Sequence, residues 1–230
     1  MAPHPDLTFD RFTPTRGSRR ALQLGVALAK ETEAPRLLLL HGPPGVGKTH
    51  LLQAILKLRT ARQPRGSVIQ ACADQLVEQW VTALKADPEA ALPRRLERSD
   101  LVAIDDLHAL AGKPVTQSEV ARILEGTISR GGRVVCAMGR SAAELPVFIE
   151  ALRRVPGAHF VEMRPPRGRE MRHVLTVMAR AGHLTLRRET LAAIADRCDG
   201  DVRRGQGELA RRRFGQSHPL VRSSLLTETP

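Results

Sequence analysis

The feature that most limits how this chain can fold is a glycine-rich segment between two apolar ones. Residues 42–49 read Gly-Pro-Pro-Gly-Val-Gly-Lys-Thr. Residues 36–40 before them are mostly leucine, and residues 49–59 after them carry apolar side chains at helical spacing. A strand, a glycine loop and a helix in this order direct backbone N–H groups and a helix N-terminus at one point, where phosphate oxygens bind. The segment therefore predicts a phosphate-binding loop.

The residue types in this loop indicate separate roles in nucleotide binding. The backbone of the loop would surround phosphate oxygens, and Lys48 would reach the β- and γ-phosphates. The hydroxyl of Thr49 is predicted to bind Mg²⁺. The predicted contacts to ATP or ADP are Gly42, Pro43, Pro44, Gly45, Val46, Gly47, Lys48 and Thr49.

An acidic pair about 60 residues downstream provides the second half of such a site. Residues 101–106 read Leu-Val-Ala-Ile-Asp-Asp, which is a buried-strand pattern followed by two carboxylates. Asp105 is predicted to bind the Mg²⁺ together with Thr49, and Asp106 to orient or polarise the attacking water. These two motifs predict nucleotide binding, and they leave hydrolysis open.

Strand and helix patterns alternate before residue 165, and helix patterns alone follow it. This order predicts an α/β fold with a mainly parallel five-stranded sheet between two helical layers, and a small helical lid. We expect an α/β base over residues 1–165, the lid over 166–215 and a polar tail over 216–230. The predicted strands are 36–40, 67–71, 101–104, 134–138 and 160–163. The predicted helices are 49–59, 74–85, 169–180, 188–198 and 201–213.

Charge and cysteine content narrow the partners and the location. The 230 residues carry a net charge of +12, which favours a polyanionic partner such as DNA, although an arginine-rich coding bias would give the same total. Three separated cysteines indicate reduced thiols and no metal-ligand spacing. No apolar run of membrane-spanning length and no signal sequence is present, so we expect a cytoplasmic protein without a membrane partner.

Several segments resemble the AAA+ module of the DnaA and Hda family of bacterial replication proteins. Residues 100–119 contain Ile-Asp-Asp, Ala-Gly-Lys and Thr-Gln followed by an acid, a combination that is specific to this family. Two further segments resemble it: the phenylalanine pair Phe9 and Phe12, and residues 201–209 with Val202, Arg203 and Gly207. The resemblance covers roughly residues 7–213 and implies a P-loop AAA+ three-layer sandwich with a helical lid.

The resemblance also implies roles for residues outside the two motifs. Arg154 lies where the family has an arginine finger for a neighbouring subunit's ATP, although the adjacent Arg153 could substitute. Arg203 matches the lid arginine that reaches the γ-phosphate. His50 follows the loop as in the family and is included among the nucleotide contacts. Val81 and Lys113 correspond to contacts with single-stranded DNA, although a core position explains Val81 equally well.

Three departures from the family pattern bear on activity. Gly139 stands where the family has a polar sensor side chain at the end of a strand, so efficient hydrolysis is in question. Gly205 lies within the lid helix, where glycine costs on the order of 1 kcal/mol of helix stability. Few residues follow 213, so we expect no helix-turn-helix domain for reading duplex DNA.

The sequence therefore predicts an ATP-binding protein of this type that acts in initiation or regulation of chromosomal replication. It would assemble, depending on ATP, with itself or with an initiator through Arg154, and could bind single-stranded or non-specific DNA. Two alternatives are a helicase-loader-like ATPase, which the Ala-Gly-Lys and Thr-Gln signature disfavours, and a nucleotide-binding module with little hydrolysis. Any ATPase activity is expected to be slow.

Overall fold

In the computed structural model, the described residues, which are 7–31, 35–76, 92–139 and 142–217, form alternating strands and helices followed by helices alone. The strands are β1 (Leu37–His41), β2 (Val68–Cys72), β3 (Leu101–Asp105), β4 (Arg133–Met138) and β5 (Ala158–Glu162). The α-helices are α1 (Arg19–Lys30), α2 (Lys48–Arg62), α3 (Leu92–Glu97), α4 (Pro114–Ser129), α5 (Pro146–Arg153), α6 (Arg169–Ala181), α7 (Arg188–Cys198) and α8 (Val202–Ser217). Short 3-10 helices span Leu107–Leu110 and Ala142–Glu144. Within these ranges no helix combines the length and apolar character needed to cross a bilayer.

The five strands of the described residues form one sheet in the order β2-β3-β4-β1-β5. Every pairing is parallel, with Leu37 opposite both Val134 and Ala158, and Leu101 opposite both Val68 and Arg133. The predicted α/β fold with a mainly parallel five-stranded sheet is confirmed, and all the described pairings are in fact parallel. Because parallel strands share their carboxyl edge, the loops after β1, β3 and β4 lie along one edge.

The core of the sheet is built on the leucine run of β1. Leu37, Leu38, Leu39 and Leu40 have no exposed surface, as expected for a strand covered on both faces. Leu37 and Leu39 belong to a buried cluster with residues of α4 and α5. Leu38 and Leu40 point to the opposite face because side chains alternate along a strand.

Most element boundaries differ from the predicted ones by a few residues. The helix predicted at 49–59 is α2, which runs from Lys48 to Arg62, and the strand predicted at 160–163 is β5, which begins at Ala158. Residues 73–76, at the start of the helix predicted at 74–85, are helical, and residues 77–91 lie outside the described ranges. Helix α8 extends to Ser217, so residues 216–217 are helical where we expected a tail.

Helices α1, α4 and α5 have no counterpart among the predicted helices. Helix α1 packs against α2, and a β-carbon on Gly25 would lie 3.0 Å from the Ile55 side chain. Helices α4 and α5 pack against each other. Both start with a proline, which is favourable in the first helical turn because that turn's N–H groups have no intrahelical partner.

Contacts group the chain into two units. One comprises Met1–Pro43 with Gly47–Arg164, and the other Pro44–Val46 with Pro165–Pro230. The described helices of the second unit, α6, α7 and α8, enclose their own apolar cluster, which includes Leu175, Ile194 and Leu209. A β-carbon on Gly205 would lie 2.6 Å from the Leu175 side chain. The absence of a side chain at Gly205 therefore allows α8 to pack closely against α6. This close packing explains why a glycine, which weakens a helix, occurs at this position.

Candidate nucleotide-binding site

The loop after β1 has a backbone shape that requires glycine. Gly42, Gly45 and Gly47 have φ angles of 146°, 78° and 95°, a region that residues with a β-carbon rarely adopt. A β-carbon on Gly42 would also overlap the backbone carbonyl of Met163. The glycines therefore allow the tight backbone turns of this loop, and such loops at a helix N-terminus bind phosphate through backbone N–H groups.

Lys48 lies inside the curve of this loop. Its side chain belongs to a residue that is only 8% exposed, and Nζ donates hydrogen bonds to the carbonyls of Gly42 at 2.8 Å and Pro43 at 2.7 Å. A buried ammonium group needs such acceptors to offset the loss of water. The positive charge is thus held within the loop, where the sequence places the phosphates.

The end of β3 supplies the acidic group next to this loop. The Thr49 hydroxyl donates a hydrogen bond to the Asp105 carboxylate, whose pKa is raised chiefly by burial. The backbone N–H of Asp106 donates to Asp105 Oδ1 at 2.9 Å. The structure therefore brings the two predicted Mg²⁺ ligands, Thr49 and Asp105, into direct contact.

The donor set at Thr49 and Asp105 fits Mg²⁺ but does not complete its coordination. One hydroxyl and one carboxylate are hard oxygen ligands, and Mg²⁺ in proteins commonly combines one or two such ligands with water and phosphate oxygens. No group of three or more histidine, cysteine, aspartate or glutamate side chains suited to a metal occurs among the described residues. The arrangement therefore suits a metal that arrives with a phosphate ligand.

The N-terminal segment packs against the start of α2. His50 Nε2 donates to the carbonyl of Thr8 at 2.8 Å, and its ring meets Phe12 edge to face with a centroid distance of 5.2 Å. A β-carbon on Gly47 would lie 3.0 Å from the Phe12 ring. These contacts give His50 a role in holding the N-terminal segment, while its assignment to the nucleotide stays a prediction.

The start of α8 contacts the tip of the loop within the second unit. The backbone N–H of Val202 donates to the carbonyl of Gly45 at 3.0 Å, and a β-carbon on Gly45 would overlap the Asp201 carboxylate. Asp201 Oδ1 caps α8 by accepting the N–H groups of Arg203 and Arg204 at 2.9 and 3.2 Å. Arg203 is therefore fixed at the first turn of a capped helix, with an exposed side chain.

Arg154 and Arg153 differ in their surroundings at the end of α5. The Arg154 side chain is 76% exposed and forms an ion pair with Glu150 at 2.7 Å, a contact worth about 0.5 kcal/mol or less at such exposure. Arg153 lies with its guanidinium 5.9 Å from the centre of the Phe160 ring. Arg154 is therefore the arginine that is easier to release toward another molecule.

The residues assigned to DNA are only partly described. Lys113 precedes α4, and its Nζ donates to the carbonyl of Ala109 at 3.1 Å on the surface. Val115, in the first turn of α4, is 81% exposed. Val81 lies outside the described residues, so its assignment stays a prediction.

One residue that the sequence analysis does not single out lies beside the acidic pair. His108, on the 3-10 helix after β3, has its Nδ1 atom 3.8 Å from Asp106 Oδ1. The same ring faces Gly139 at the end of β4, since a β-carbon there would lie 3.6 Å from Nδ1. In the sequence, only the short spacing from the two aspartates to His108 could have indicated this residue. Its position next to Gly139 depends on the pairing of β3 with β4.

Comparison with known proteins places these features in a family. A sequence model of the bacterial DnaA ATPase domain matches residues 4–157. The chromosomal replication initiator protein DnaA of Caulobacter vibrioides is 30% identical over 210 residues, which cover 88% of this chain and 43% of that protein. The chain therefore spans less than half the length of this relative.

Solved structures of such proteins share the fold. The crystal structure of domain III of the Thermotoga maritima replication initiation protein DnaA superposes with a TM-score of 0.80 at 23% identity, over 100% of this chain and 94% of that one. A replication initiator DnaA bound to AMPPCP and single-stranded DNA gives a TM-score of 0.75 at 23% identity, over 90% of this chain and 65% of that one.

Proposed function

This chain belongs to the bacterial DnaA ATPase domain family, and on that premise we propose that it is an ATP-binding AAA+ module. We infer that it acts in initiation or regulation of bacterial chromosomal DNA replication, through ATP-dependent assembly with itself or with an initiator. The observation that carries the proposal is the glycine loop, in which Lys48 donates a hydrogen bond to the carbonyl of Gly42 and the Thr49 hydroxyl is hydrogen-bonded to Asp105. AMPPCP in the solved initiator structure supports an adenine nucleotide as the ligand.

Each residue of the site has a role in this proposal. Lys48 would turn from the loop carbonyls toward the phosphates of ATP or ADP, and Asp105 with Thr49 would hold Mg²⁺, which neutralises phosphate charge. Asp106 would orient the attacking water, and Arg203 would reach the γ-phosphate. The base over residues 1–165 and the lid over 166–215 are part of the same proposal.

The exposed side chains of Arg154 and Lys113 are the basis for the proposed partners, which are a second protein subunit and DNA. Arg154, held by a weak ion pair with Glu150, would contact ATP bound to a second subunit or to an initiator. The net charge of +12 and the surface position of Lys113 support contact with DNA phosphates, which confers little sequence preference. The single-stranded DNA in the solved initiator structure agrees with such a ligand.

The second part of the proposal is that the isolated protein hydrolyses ATP slowly. Gly139 has no side chain that could bind the γ-phosphate region, and Arg154 would act on a neighbour's nucleotide. An isolated molecule would thus lack two of the charged or polar groups on which phosphoryl transfer depends.

Calorimetric titration of Lys48→Ala with ATP and ADP tests the nucleotide site. We expect the variant to lose most of its nucleotide affinity, because Lys48 is the cation held within the loop, and the wild-type affinity for ATP to depend on Mg²⁺. Lys57→Ala is the matched control, since Lys57 lies on the same helix beyond its first turn. If Lys48→Ala binds ATP as the wild type does, the assignment of this loop is wrong.

A further inference from the structure

Gly139 lies at the carboxyl edge of the sheet, where a β-carbon would face the side chain of His108. Strands β3 and β4 are neighbours, with Ile104 opposite Cys136, so Asp106 and Gly139 follow adjacent strand ends. Within 4 Å of a β-carbon on Gly139, the described residues beyond its chain neighbours contribute only His108, with Nδ1 at 3.6 Å and Cε1 at 3.7 Å. The imidazole ring therefore faces the region that a side chain at position 139 would enter.

The nitrogen of His108 that faces this space has no hydrogen-bond partner among the described residues. Nδ1 is buried, and none of the described residues forms a hydrogen bond with it, although 39% of the whole side chain is exposed. Buried polar atoms in folded proteins nearly always have a partner, and exceptions often have a functional reason. The carboxylate oxygen Oδ1 of Asp106 is 3.8 Å away, which is too long for a hydrogen bond but within reach of a small side-chain rotation.

Asp106 needs a group that fixes its side chain. Its backbone has a left-handed φ of 55°, which is uncommon for a residue with a β-carbon and is often found at functional sites. Its side chain is 57% exposed. A carboxylate that orients water from such a position is effective only when its direction is restricted.

We propose that His108 is the positioning residue for Asp106, and that it makes this polar contact from the 3-10 helix beside Gly139. With its proton on Nδ1, the ring donates a hydrogen bond to the Asp106 carboxylate and directs it. This inference rests on the proposed function, in which Asp106 orients the attacking water.

Nitrogen NMR of the histidine side chains tests the contact without nucleotide and without activity. In ¹⁵N-labelled protein, the His108 signals, identified by their loss in His108→Gln, are expected to show the form protonated at Nδ1. Asp106→Gly removes the carboxylate but suits the left-handed φ, and it should shift His108 toward the form protonated at Nε2. Unchanged His108 signals in Asp106→Gly would overturn the proposal, whether or not the protein hydrolyses ATP.

Measurements of kcat distinguish a His108 that positions Asp106 from a His108 that only fills space. His108→Ala is expected to lower kcat on the order of 10-fold to 100-fold, with the ATP dissociation constant from calorimetry unchanged within about twofold. His108→Gln, which keeps a neutral donor, should retain most of the rate. In the Asp106→Gly background His108→Ala should have no further effect, and an equal loss in both backgrounds would refute the coupling.

A polar side chain introduced at position 139 tests whether the kcat lost in His108→Ala can be recovered. The β-carbon of residue 139 would be in ordinary van der Waals contact with the ring, so His108→Ala with Gly139→Asn should recover part of the lost kcat by placing an amide near Asp106. His108→Ala with Gly139→Ala is the matched control and should recover none. Equal rates in the two double variants would show that no polar contact is needed there. Loss of ATP binding in Lys48→Ala tests the proposed function separately.

Discussion

At the scale of single residues, Asp105 lies where its own charge is disfavoured. Burial raises the pKa of its carboxyl group, and the negative charge of Asp106 acts in the same direction, while the hydrogen bonds from Thr49 and the Asp106 N–H act against them. A group whose pKa is higher in the folded than in the unfolded state lowers the free energy of unfolding once it is ionised. Although the charge of Lys48 offsets part of this effect, we expect ionised Asp105 to destabilise the fold at neutral pH when no Mg²⁺ is bound.

Asp105→Asn is expected to raise the melting temperature of the nucleotide-free protein by about 2 °C. The gain should disappear below about pH 3.9, where aspartate is protonated in both states. The same variant should lose the Mg²⁺-dependent part of its ATP affinity. Thermal unfolding with and without Mg-ATP measures both effects. Asp196→Asn is the control because Asp196 is exposed, and a lowered melting temperature for Asp105→Asn would contradict the argument.

The sequence allowed Lys48, Thr49 and Asp105 to be placed at one site because each belongs to a motif with a set local geometry, while their roles toward a nucleotide stay predictions. A strand, a loop and a helix of set lengths bring Lys48 and Thr49 together whatever the rest of the chain does. His108 and Asp201 could not be assigned in this way. Their partners, Gly139 and Gly45, are distant in sequence, and only the folded chain brings them into contact.

At the scale of elements, Gln117 links three of them. The residue is 2% exposed, and its Nε2 donates to the carbonyl of Leu110, at the end of the 3-10 helix, at 3.0 Å. Its Oε1 accepts the N–H of Phe148, near the start of α5, at 3.4 Å. The Thr-Gln part of the family signature thus has a structural cause: one buried amide joins α4 to the segment after Asp106 and to the helix that ends before Arg154.

Gln117→Ala is expected to lower the free energy of unfolding by about 1–3 kcal/mol, because a buried carbonyl and a buried N–H lose their partner. Urea denaturation measures the change. Ser118→Ala is the matched control, since Ser118 is the next residue of α4 and is exposed. An unchanged denaturation midpoint for Gln117→Ala would mean that the two hydrogen bonds do not contribute to stability.

The elements differ in how well the sequence predicts them. The leucine run of β1 and the apolar spacing of α2 identify these elements directly, since each is buried along most of its length. Helix α1 was missed, and its buried face consists largely of alanine and glycine next to α2: Ala21, Gly25 and Ala29, with Leu28. Small residues give only a weak hydrophobic periodicity, so the sequence alone does not predict this helix. Its packing against α2 stabilises it.

At the scale of the whole molecule, we propose that the groups needed for hydrolysis are divided between two molecules. Lys48, Thr49 and Asp105 meet within one chain, whereas Arg154 is 76% exposed and forms an ion pair with Glu150, which is similarly exposed. A weak surface ion pair is easily exchanged for a phosphate, which accepts the same guanidinium hydrogen bonds. This arrangement favours an ATPase site that a second molecule completes.

We therefore expect slow ATP hydrolysis by the dilute protein and faster hydrolysis when Arg154 of one molecule contacts ATP bound to a second copy or to an initiator. An arginine supplied in this way raises the rate of phosphoryl transfer by about 10³–10⁵-fold in other systems. Steady-state phosphate release, measured at rising protein concentration and with the initiator of the same organism, detects either partner. Arg154→Ala should abolish the stimulation. Arg153→Ala should keep it, because that side chain lies against Phe160. Fast hydrolysis by the dilute wild type, without dependence on concentration or initiator, would show that one chain contains the complete site.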